Sequence, residues 1–73
     1  MFTKELFGQR LREMRKAAKE NQEDLAALLG VTKTQISDLE NGKVSTTLEK
    51  LALICEHYKV SADYLLGLDE EAR

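Results

Sequence analysis

The chain has 73 residues, one cysteine, one histidine and a formal net charge of −2. That length holds one domain, and a core of this size supplies only about 3–5 kcal/mol unaided. The usual aids are excluded: Cys55 alone makes no internal disulfide and, with His57 alone, no zinc site. Tight helix packing, self-association or both must serve instead. The acidic balance, taken by itself, argues against a nucleic-acid partner. No apolar run exceeds five residues, far short of the ~20 residues that span a bilayer. Met1 and Phe2 lead directly into charged residues, so no signal-peptide pattern opens the chain and a soluble, cytoplasmic protein is expected.

Ala, Leu, Glu, Lys, Arg and Gln dominate, no proline interrupts them and strand alternation is absent, which predicts an all-α chain. The first helix is expected over residues 4–18, with Thr3 as N-cap and an inward stripe of Phe7, Leu11, Met14 and Ala18. The second starts at Asn21, a good N-cap, has Glu23 and Asp24 in its first turn, carries Leu25, Ala26, Leu28 and Leu29, and stops at Gly30. The third starts at Thr32, whose spacing to Gln35 is that of a capping box, and ends at Asn41 and Gly42. The fourth starts at Thr46, in a second such box with Glu49, and turns Leu48, Leu51, Cys55 and Tyr58 inward, with Ala52 and Ile54 beside them. The fifth is short, from Ser61 through Leu66 to Gly67. The domain covers residues 1–68, and residues 69–73 make an acidic, fraying tail.

The break between the second and third helices is the most constrained. Gly30 stops one helix, Val31 plugs the angle and Thr32 caps the next, which together make a helix-turn-helix. At 100° per residue, Ile36 and Leu39 of the third helix point inward, with Glu40 at the edge of that side. Thr34, Ser37, Asp38 and Asn41 point outward, flanked by Lys33 and Gln35. These short and medium hydrogen-bonding side chains suit base edges and phosphates, although a short helix with a plain polar outside has the same wheel.

One ordered set of residues carries a resemblance. It begins with Arg10-Leu11-Arg12-Glu13-Met14-Arg15-Lys16 and Gln22-Glu23-Asp24-Leu25-Ala26-Ala27-Leu28-Leu29-Gly30-Val31-Thr32. It continues with Gln35-Ile36-Ser37-Asp38-Leu39-Glu40-Asn41-Gly42-Lys43, then Leu48-Glu49-Lys50-Leu51 and Val60-Ser61-Ala62-Asp63-Tyr64-Leu65-Leu66-Gly67. In this order and spacing the chain resembles the helix-turn-helix family of the phage repressor and Cro proteins, the Xre family. The resemblance implies a compact five-helix bundle, the lambda repressor-like DNA-binding domain. It implies a transcriptional regulator, a repressor before an activator, that binds double-stranded operator DNA as a homodimer on a pseudo-palindrome.

Position by position, the resemblance places Lys33, Thr34, Gln35 and Asp38 against base edges. It gives Gln22 a phosphate to clamp, and Thr32, Ser37, Asn41, Lys43, Ser45 and Thr46 further backbone contacts. It pairs Arg15 with Glu40. Three departures stand out. Lys19-Glu20-Asn21 replaces a Gly-Leu-Ser corner, so the apolar staple there becomes Glu20 and the corner should loosen. Thr46-Thr47 replaces Pro-Ser. Asp38 is an acid where a neutral residue is usual. It either accepts from cytosine N4 or marks weak binding, since it repels phosphate.

The remaining residues read more plainly. Arg10 and Arg12 read as a solvated face of the first helix, Cys55 as core, and His57 as exposed with no role. Tyr58, Tyr64, Leu66 and Leu68 are an apolar surplus, either a dimer patch or late core. No nucleophile elbow, phosphate loop or metal motif is present, so neither catalysis, a cofactor nor a small-molecule substrate is expected. Two alternatives stay open: a protein-interaction module that has lost DNA binding, and the amino-terminal part of a longer regulator. Counted by region, the acidity shifts away from the motif. Residues 9–19 hold five basic residues and one acid, whereas residues 46–73 hold three basic residues and six acids.

Overall fold

The computed structural model describes residues 1–69, and every regular element among them is a helix. Helix α1 (Lys4–Ala17) begins where Thr3 Oγ1 accepts the Leu6 amide. Helix α2 (Gln22–Leu29) begins in a capping box: Asn21 Oδ1 accepts the Asp24 amide and Asp24 Oδ2 accepts that of Asn21. Helix α3 (Lys33–Glu40) repeats the device with Thr32 and Gln35. Helices α4 (Leu48–Tyr58) and α5 (Ala62–Leu66) follow. Gly30, Gly42 and Gly67, expected as helix stops, all have positive φ. At Gly30 an added Cβ would meet nothing, so the requirement there is the left-handed backbone itself.

Helix α1 packs on α3 and α5, α2 on α3 and α4, and α4 on α5. The core they enclose is Phe7, Leu11, Leu25, Ala26, Leu29, Ile36, Leu39, Ile54 and Leu65. Burying each large side chain contributes roughly 1.5–3 kcal/mol before conformational entropy is subtracted. Helix α1 approaches α3 so closely that a Cβ on Gly8 would overlap the Leu39 carbonyl oxygen and lie 2.6 Å from that of Glu40. No side chain at position 8 fits without moving the end of α3.

Three expectations are corrected. Ala18 caps α1 and is exposed; the buried position near that end is Arg15. The N-cap of α4 is Thr47, whose Oγ1 accepts the Lys50 amide at 3.2 Å; the expected box between Thr46 and Glu49 is absent. The inward stripe of α4 is Leu51, Ile54, Cys55 and Tyr58, while Leu48, at the first position of the helix, overhangs the core and is 81% exposed. Thr46 instead turns its hydroxyl inward, buried without a hydrogen-bond partner. Thr47→Ala should therefore cost about 1 kcal/mol. Thr46→Val should be neutral or stabilising, because it removes an unsatisfied buried hydroxyl. Urea unfolding of the two variants separates these outcomes.

At the carboxyl end the expected tail begins ordered: Asp69 accepts from Arg10 Nη1 at 2.9 Å. The rest of that tail, residues 70–73, lies outside the described residues.

Candidate nucleic-acid interface

The turn from Gly30 to Thr32 sets α3 across α2 with Ile36 and Leu39 buried. Lys33, Thr34 and Gln35 stand exposed on the opposite side, and Ser37 and Asp38 are half-buried beside them. Lys33 Nζ lies 3.7 Å from Glu23 Oε2, both side chains well exposed, a contact of the kind that contributes little. Gln35 is committed in part. Its Oε1 accepts the Thr32 amide at 2.9 Å and the Thr32 hydroxyl at 3.3 Å, while Thr32 Oγ1 accepts the Gln35 amide. A groove of about 380 Å³ separates α3 from the loop before α4, with Gln35, Asp38, Ser45 and Lys50 on its walls. Lys50 brings a cation to this side that sequence reading missed; its only sequence signal is a basic residue in the first turn of α4.

Behind α3 lies a buried carboxylate. Glu40 is 4% exposed. Arg15 donates to it twice, Nε to Oε2 at 2.6 Å and Nη2 to Oε1 at 3.1 Å, in the fork that suits a planar carboxylate. Gln22 Nε2, from the first residue of α2, donates to Oε1 at 3.1 Å. Arg12 Nε stands 3.5 Å from the same oxygen. Burial pushes the Glu40 carboxyl up, but the hydrogen bonds from Arg15 and Gln22 and the two guanidinium charges outweigh it and hold the group below its ordinary value. The network continues outward. Arg12 Nη2 donates to Asn41 Oδ1 at 2.7 Å, and Asn41 Nδ2 donates to Ser37 Oγ at 3.3 Å. The start of α2, the end of α3 and one face of α1 thus share one polar knot.

The structure brings Gln22, Asn41 and Ser37 into or beside this knot, and leaves Lys43 and Ser45 exposed in the following loop. Thr46 is a correction: its buried hydroxyl offers no atom to a phosphate. Arg10 is not part of a solvated face, whereas the Arg12 side chain stays 41% exposed. Arg10 donates to the Tyr64 carbonyl oxygen, pairs with Asp69 and lies 4.4 Å above the Tyr64 ring, while Arg12 reaches Asn41 and Glu40. His57 is exposed but has a partner, Glu20, 2.6 Å away. The corner expected to loosen is instead tied by Glu20 to α4.

The surplus apolar residues are redistributed as well. Tyr58, Tyr64 and Leu66 pack against the core, and Leu68 remains 39% exposed. Exposed Phe2, Val44 and Leu48 gather instead around an apolar recess of about 140 Å³ that Phe7, Leu51 and Leu66 also line. Among the described residues no helix is long and apolar enough to cross a membrane, and no group of three or more His, Cys, Asp or Glu is placed to hold a metal.

A family model described as helix-turn-helix matches residues 11–65. The chain is similar to the uncharacterized HTH-type transcriptional regulator YobD of Bacillus subtilis (strain 168), 38% identical over 66 residues, which cover 90% of this chain and 59% of that protein. It spans little more than half the length of such curated relatives. Among solved structures it is similar to the P22 c2 repressor in complex with synthetic operator 9T, at a TM-score of 0.77 and 34% identity over 84% of this chain and 92% of that one. It is also similar to the restriction-modification controller protein C.AhdI from Aeromonas hydrophila, at a TM-score of 0.74 and 31% identity over 85% and 94% of the two chains.

Proposed function

The chain belongs to the helix-turn-helix family, and on that premise we propose that it binds double-stranded operator DNA as a transcriptional repressor, with α3 in the major groove. The observation that carries this reading is the outward face of α3: Lys33, Thr34 and Gln35 stand exposed beside the amino terminus of α2, on a fold similar to that of a repressor solved with its operator. In the groove Lys33 donates to guanine O6 or N7 and Thr34 meets a hydroxyl partner or a thymine methyl. Asp38 accepts from cytosine N4. Gln35 offers its outward amide group, since its oxygen already serves Thr32. The free amides at the start of α2 and the side chains of Gln22, Asn41, Lys43 and Ser45 hold phosphates on either side. The protein acts where the DNA is, in the cytoplasm, without a cofactor.

A homodimer follows from the size of the site. One α3 covers a single half-site, and two copies about 34 Å apart read a pseudo-palindrome. The exposed apolar face of Phe2, Val44 and Leu48, next to the loop after α3, supports self-association there better than the packed Tyr58 and Tyr64 do.

Selection of bound duplexes from a random pool, followed by fluorescence anisotropy, tests the reading; a two-fold symmetric consensus is the expected product. Lys33→Ala should cost about 1–3 kcal/mol and relax one position of the consensus, whereas Lys43→Ala should weaken all duplexes alike and reduce the salt slope by about 1. A pool that yields no salt-dependent binder overturns the proposal and leaves a protein-interaction module of the same fold.

A further inference from the structure

The corner between α1 and α2 holds an acid, Glu20, where an apolar staple is expected. Its side chain is 22% exposed and reaches across to α4. Tyr58 Oη donates to Oε1 at 2.7 Å, and His57 Nε2 meets Oε2 at 2.6 Å. A carboxylate only accepts, so Nε2 carries the hydrogen. The two α4 rings meet edge to face with centroids 4.7 Å apart. On the other side of the corner, Arg15 Nη1 donates to the Glu20 carbonyl oxygen at 2.8 Å. The same guanidinium grips Glu40, which also accepts from Gln22. A continuous chain of polar contacts therefore runs from the outer surface of α4 to the first residue of α2.

We propose that Glu20 is a positioning residue that ties the α1–α2 corner to α4 through Tyr58 and His57 and fixes where Gln22 and the amino terminus of α2 stand. The tie is a property of the free chain; its consequence for affinity rests on the DNA reading above.

The groups that face Glu20 favour the tie. These are Arg15 from α1 and His57 from α4, with the neutral donor Tyr58 beside them and Glu40 of α3 beyond Arg15. The hydrogen bond from Tyr58, opposed by burial and aided by His57, holds the Glu20 carboxyl below its ordinary value, so it stays an anion near neutral pH. Burial and the bond to Glu20 push the Tyr58 phenol up, so it stays a donor. Both α4 donors therefore meet an ionised acceptor, which makes these bonds charge-assisted and short.

Amide chemical shifts of the free chain at one pH, compared between the wild type, Tyr58→Phe, His57→Ala and the double variant, test this. The Gln22 and Glu23 amides, remote in sequence from α4, should move in each single variant and further in the double variant. With a selected duplex at fixed salt, affinity should fall about two- to fivefold in the double variant. If the Gln22 and Glu23 amides keep their wild-type positions in the double variant, the tie is overturned. If they move but the wild-type chain binds no duplex, the tie stands and the DNA reading falls.

Discussion

Arg15→Ala should leave the chain largely unfolded at room temperature. Glu40 is buried in the knot between α1, α2 and α3, and Arg15 supplies two of its hydrogen bonds. Removing the guanidinium strands a carboxylate away from water, which costs about 3–5 kcal/mol. A core of this size holds about the same amount in total. Circular dichroism during thermal or urea unfolding measures the loss, and an Arg15→Ala chain that melts within a few degrees of the wild type would refute the argument. The double variant Arg15→Met with Glu40→Leu should fold as well as the wild type or better, since apolar replacements of a buried pair often match it. It should nonetheless bind DNA poorly, because Gln22 and Arg12 lose their anchor. The same pair sets an acid limit. The carboxyl of Glu40 titrates below its unfolded value, so its contribution is complete above the ordinary carboxylate range and is lost as pH falls through the folded value. Urea midpoints taken at descending pH should drop more steeply for the wild type than for the double variant.

Gly8→Ala should destabilise the fold by about 1–3 kcal/mol. Helix propensity alone gives the opposite sign, a gain of about 1 kcal/mol for alanine over glycine inside a helix. The close approach of α1 to α3 decides between them. The new methyl would overlap the Leu39 carbonyl oxygen and crowd that of Glu40, and both are backbone atoms that cannot rotate aside. The end of α3 would have to shift, and with it Asn41 and the loop that carries Lys43. Denaturant unfolding gives the sign directly. A gain in stability would mean that the two helices separate at little cost.

The starts of α1, α2, α3 and α5 and the stops of α2, α3 and α5 were legible because they depend on local chemistry: a hydroxyl or amide at the N-cap, an acceptor three residues on, a glycine where the backbone turns left-handed. The start of α4 was not, because two adjacent threonines both satisfy the cap rule and the spacing of Glu49 favoured the wrong one. The loop from α3 decides it by delivering Thr47, not Thr46, to the helix end. Leu48 fits the period of α4 yet overhangs the core, which periodicity does not register. The face of α3 was legible from its wheel. The contacts of Arg10 with Asp69 and of Glu20 with His57 and Tyr58 were not, since they join residues far apart in sequence that no spacing rule connects.

The capping box at the start of α3 bears on how this chain could acquire a new target. Gln35 both faces outward and supplies the oxygen that accepts the Thr32 amide, so a replacement chosen for a different base also removes half of a helix cap. Thr34 carries no such second duty among the described contacts, and Lys33 has only an exposed partner. Retargeting should therefore proceed most readily through positions 33, 34 and 38, with position 35 held back by the fold.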